Sequence, residues 1–77
     1  MKASQITTAA RRIAKIHNNR LKNGFAGNGF LVVNTYGHGG AWYSADARPQ
    51  LNEHEIKVSM RWRKMSHAEA QEILDNV

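Results

Sequence analysis

The sequence predicts one α+β domain over residues 1–77, ordered α-β-β-β-α, with a three-stranded antiparallel sheet covered on one face by two helices. Three observations predict it. Apolar residues recur at helical spacing near each end of the chain, aromatic and β-branched runs of strand length lie between, and the connections are short and glycine-rich. A chain of 77 residues buries only about 60% of the surface its unfolded form exposes, so a single core is expected.

The first helix is read from Ile6 to Leu21, where Ile6, Ala9, Ala10, Ile13, Ile16, His17 and Leu21 recur at three- and four-residue steps. Ser4 or Thr7 can cap its start, and Asn23-Gly24 tolerates the left-handed conformation that stops a helix. Arg11, Lys15, Asn18 and Lys22 fall within a sector of about 60° opposite the Ile6/Ile13 stripe, with Arg12 and Asn19 beside it. One face is therefore basic and amide-rich. His17 and Arg20 lie on the apolar side, where a buried polar group must find a partner, such as an ion pair of Arg20 with Asp46, Glu53 or Glu55.

Residues 24–29 hold too much glycine for a regular element and read as a connection. Phe30 to Tyr36 and Ala41 to Ala45 read as two strands joined by Gly37-His38-Gly39-Gly40, which makes a hairpin. A polar loop from Asp46 to Glu53, holding the only proline at Pro49, leads to a third strand. There Ile56, Val58, Met60 and Trp62 point one way and Lys57, Ser59, Arg61 and Arg63 the other. Ser66-His67-Ala68-Glu69 fits the capping box, in which a hydroxyl and a carboxylate satisfy each other's free amides, and predicts a last helix from about His67 to Asn76. Short connections favour a meander, with the uncovered sheet face open.

Charge is unevenly placed. Residues 1–45 carry six basic side chains and no acid, whereas five basic residues meet six acids from Asp46 onward. A one-sided positive field follows, suited to phosphates, acidic protein surfaces or anionic lipid. A membrane helix would need a larger apolar stripe with Trp, Phe or several Leu, so no membrane partner is expected. The absence of cysteine excludes a disulfide framework and a thiolate nucleophile, and the start of the chain has no signal-like apolar run. A soluble protein of the reducing cytoplasm is the expectation.

The candidate phosphate-binding or acidic-partner residues are Arg11, Arg12, Lys15 and Lys22 on the first helix and Lys57, Arg61, Arg63 and Lys64 on and beside the third strand. Cations two residues apart on a strand stand about 6.6 to 7 Å apart, close to the step between phosphates. Such a row is also what guards an ordinary sheet edge against aggregation. His38 at the turn tip and whichever of Trp42 and Tyr43 faces outward are the candidate interface residues. The glycine turns offer amides to an anion, yet neither has the lysine and hydroxyl of a phosphate loop.

For catalysis the chain offers little. His17, His38, His54 and His67 share no metal-ligand spacing, and Ser44, Ser59 and Ser66 lack an activating motif. A non-enzymatic protein without cofactor or metal is expected. Gly24-Phe25-Ala26-Gly27 is similar to the GXXG loop of KH domains, but a strand follows where that motif needs a helix. In element order and length the chain resembles the double-stranded RNA-binding domain. It departs from that family at Ser66-His67-Ala68-Glu69, where the family has a lysine cluster, and at Gly37-His38-Gly39-Gly40, where it has a proline- and histidine-containing loop. Size, charge and lack of cysteine are also similar to small phage and mobile-element proteins that inhibit a host complex. The two functions implied are a nucleic-acid-binding protein and an inhibitor or adaptor that docks on an acidic protein surface.

Overall fold

A computed structural model describes residues 5–24, 29–59 and 63–77 and has the predicted element order. Helix α1 spans Thr8–Lys22 where Ile6 to Leu21 was expected, because Thr7 takes the N-cap: its side chain accepts from the Ala10 amide at 3.1 Å. The helix stops at Asn23, and Gly24 turns away at φ +91°. Helix α2 spans His67–Asp75, capped by the Ser66 hydroxyl, which accepts from the Glu69 amide at 3.1 Å.

Strands β1 (Phe30–Asn34), β2 (Ala41–Tyr43) and β3 (Glu55–Ser59) form one antiparallel sheet in the order β2-β1-β3. The hairpin is present, with Leu31 opposite Trp42, but the meander is not: β1 stands in the centre and β3 pairs on its far side, Leu31 opposite Val58. The resemblance to the double-stranded RNA-binding domain thus rests on element order alone. The physical reason lies in β1, whose residues Phe30 to Val33 are all buried and so need a neighbour on both edges, while β2 is three residues long and more exposed. Strand β1 also ends at Asn34, not Tyr36, because the Asn34 side chain accepts from the Tyr36 and His38 amides and bends the chain into a turn.

Alternation sorts the sheet into two faces. Leu31, Val33, Ile56 and Val58 meet Ala10, Ile13 and Ala14 of α1 and Met65 and Ala70 near α2, with Trp42 packed against them. Burial of a side chain the size of Ile13 or Leu31, both fully excluded from solvent, stabilises by about 1.5 to 3 kcal/mol. Trp42 therefore faces inward, over Gly29, where an added Cβ would stand 2.3 Å from the indole. On the opposite face the expected openness is only partial. Phe30 and Val32 are 7% and 3% exposed, and Tyr43 and Lys57 close over Phe30 from the two edge strands. Met60 and Trp62, expected in the core, lie outside the described residues.

The two helices run antiparallel across the sheet and are joined by polar contacts at both ends. Near the start of α1 the buried Gln71 carboxamide oxygen accepts from the Thr7 amide and hydroxyl, each at 2.9 Å, while its nitrogen donates to Asp75. Near the other end Asn18 holds Met65 by both backbone groups, donating to its carbonyl at 3.1 Å and accepting from its amide at 2.7 Å. The two bonds offset the desolvation of the Met65 backbone and fix the approach to α2.

Candidate functional site

Helix α1 presents Arg11, Arg12, Lys15, Asn19 and Lys22 to solvent. Arg11 and Lys15 are neighbours one turn apart, and Lys22 continues their row two turns on. The one member of the predicted sector that leaves it is Asn18, half-buried and committed to Met65. That commitment brings Lys64, beside Met65, against the same helix, where Asn18, Lys64, Met65, Ser66 and His67 line a shallow depression of about 370 Å³. His17, on the apolar side, is 1% exposed, with Nδ1 3.4 Å from the Asn18 side-chain oxygen. Arg20 is half-buried.

The predicted strand row does not continue through Arg63. The Arg63 guanidinium grips Glu69 of α2 with two parallel bonds of 3.1 and 2.7 Å, and Arg63 and Lys64 stand in the connection between β3 and α2. The cause is the planar match of guanidinium and carboxylate, which a solvated strand face cannot offer. Arg61 lies outside the described residues. Lys57 does point outward as expected, but its ammonium sits 4.5 Å over the Phe30 ring, which stacks on Tyr43 at 5.7 Å. Tyr43 is thus the outward member of the Trp42/Tyr43 pair and Trp42 the inward one. Lys57 and the α1 cations therefore occupy opposite sides of the sheet. Among the described residues, the candidate cations are spread over more than one surface.

The other flank of the α1 cations is closed by the turn after β1. Gly37 is buried there with φ +82°, and a Cβ on it would come within 2.6 Å of the Ala9 carbonyl oxygen and 2.7 Å of the Arg12 Cβ. Only glycine satisfies both the backbone conformation and the approach. Arg12 donates one of its five N–H groups to the Tyr36 carbonyl at 3.2 Å. Tyr36 itself is 60% exposed, an outward aromatic at a position expected inside a strand. The signal was Asn34-Thr35-Tyr36-Gly37, an asparagine followed by a glycine three residues on, which marks a turn. His38 is exposed at the tip as expected.

Arg12 and Asn18 stand about 120° apart round the helix. The basic face of α1 is therefore bounded by Lys64 on one flank and by Tyr36 on the other.

Comparison with known proteins returns no matching family, no matching characterised protein and no matching solved structure. No helix among the described residues is long and apolar enough to cross a membrane.

Proposed function

We propose that the chain is a non-enzymatic nucleic-acid-binding protein of the cytoplasm that holds phosphates on the exposed face of α1. Arg11, Arg12, Lys15 and Lys22 make the contacts, and Lys64 extends them on the α2 flank. The observation that carries this reading is the solvent-facing row of cations on a helix of a chain segment without a single acid. Such a row neutralises successive phosphates and releases their counterions on binding. Lys57, on the far side of the sheet, is not needed for it.

Salt titration tests the reading directly. Four phosphate contacts give a slope of log K against log[salt] near about −3.6 on a duplex and about −2.8 on a single strand. Replacing Lys15 and Lys22 together by Glu should remove about half of that slope. Failure to bind either form at about 50 mM salt would overturn the proposal.

One observation favours the runner-up, an inhibitor or adaptor on an acidic protein surface: an exposed Tyr beside Arg is a common anchor of protein interfaces. Capture of a stoichiometric protein partner that survives nuclease treatment, with no nucleic acid bound at low salt, would select it.

A further inference from the structure

Tyr36 does not stand alone. His54, in the turn before β3, faces it with ring centroids 6.5 Å apart and ring planes inclined by 33°. Both rings are largely exposed, the His54 side chain at 59%. Beside them a cleft of about 310 Å³ is lined by Asn34, Gly39, Gly40, Asn52 and Glu55.

The backbones that carry the rings are fixed. Tyr36 is held from three directions: its amide donates to Asn34, its carbonyl accepts from Arg12, and Gly37 is wedged against α1. The His54 amide donates to the Asn52 side chain at 2.8 Å, and the His54 carbonyl accepts from the Thr35 amide at 2.8 Å, which ties the two turns to each other. Glu55 steadies the second turn by accepting from the Asn52 amide at 3.0 Å.

At 6.5 Å between centroids the two rings are within the range of a direct aromatic contact, so together they make one exposed aromatic surface. Proteins that bind single strands pair such surfaces, on which bases stack, with cations that track the phosphates. The cleft is at the lower bound of small-ligand sites, with room for a single planar ring system. Its position supplies the second requirement, since the Arg12 guanidinium that holds the Tyr36 carbonyl also ends the cation face of α1.

We infer that Tyr36 and His54 form a stacking platform for an unpaired base of a single-stranded nucleic acid whose phosphates follow α1. This rests on the nucleic-acid reading and sharpens it, because a base stacked and paired within a duplex cannot lay its face on the rings.

Fluorescence anisotropy with a labelled oligothymidylate, and with the same strand carrying abasic spacers throughout, tests the platform at about 50 mM salt. Tyr36→Ala should weaken binding of the base-bearing strand by about 5- to 150-fold, the range of one base–aromatic stack. Tyr36→Phe should restore it, and His54→Ala should cause a smaller loss on the same strand. Wild type should bind the abasic strand more weakly, with Tyr36→Ala adding no further loss and the salt slope unchanged throughout. Equal binding by wild type and Tyr36→Ala would overturn the platform while leaving the phosphate reading intact. Equal loss on both strands would also overturn it, since Tyr36 would then act through Arg12 and not through a base. No binding of either strand by wild type would remove the phosphate reading and the platform together. Loss of a nuclease-resistant protein partner in Tyr36→Ala would place the pair in a protein interface instead.

Discussion

Helices α1 and α2 cover the same sheet face, lie antiparallel, and carry opposite charge. Between Thr8 and Lys22 α1 holds Arg11, Arg12, Lys15, Arg20 and Lys22 without an acid, whereas α2 holds Glu69, Glu72 and Asp75 without Lys or Arg. Each also puts charge where its own dipole accepts it: Arg20 and Lys22 fall in the last turn of α1, and Glu69 in the first turn of α2. The difference separates two tasks. α1 provides the larger share of the buried surface, through Ala10, Ile13, Ala14 and His17, and the whole basic row. α2 provides the polar contacts that position it, through Gln71 and the Met65 connection.

That division can be broken most severely at Asn18. Asn18→Ala leaves the Met65 amide and carbonyl without their partners, and should destabilise by about 2 to 4 kcal/mol, read as a lower urea midpoint at unchanged m-value. A loss under about 1 kcal/mol would show that α2 docks without the clamp. Gly37→Ala should follow at about 2 kcal/mol, from a Cβ forced into a left-handed backbone and against Ala9. It should also weaken single-strand binding, since Tyr36 is carried by the same turn. Thr7→Ala removes the α1 cap and one bond to Gln71, for about 1 kcal/mol.

Glu69→Gln weakens an exposed pair with Arg63 and should cost about 0.5 kcal/mol, vanishing in high salt. Smallest of all is Glu72→Lys, expected within about 0.5 kcal/mol of wild type in stability. It should leave the salt slope unchanged, because the proposed strand path leads from α1 toward Tyr36. A slope steeper by about 0.7 would instead put α2 in contact with phosphates.

The elements were legible in the sequence because their signals are local. The 3.6-residue spacing of α1, the alternation in β3 and the capping box at Ser66 each depend on residues a few positions apart. Strand order was not legible, since alternation tells which face Ile56 and Val58 occupy but not which edge of β1 they join. Asn18 was misplaced for a related reason: it sits about 20° from Arg11 on the helical wheel, and only a partner 47 residues away draws it inward. Arg63 left the predicted row because its partner lies in the next helix. For the candidate site, the cations of α1 could be read from the sequence, whereas the Tyr36–His54 pair depends on two turns meeting across the sheet.

The central place of β1 has a kinetic side as well. Its second neighbour is β3, with Phe30 opposite Ser59, and α1 is not fully tied down until Gln71 reaches Thr7, 64 residues along the chain. Contacts so distant in sequence slow folding, because the loop must close before they reward it. Until those contacts close, the basic segment is too short to hold its helix alone, so its row of cations is assembled only as the sheet and α2 come together beneath it.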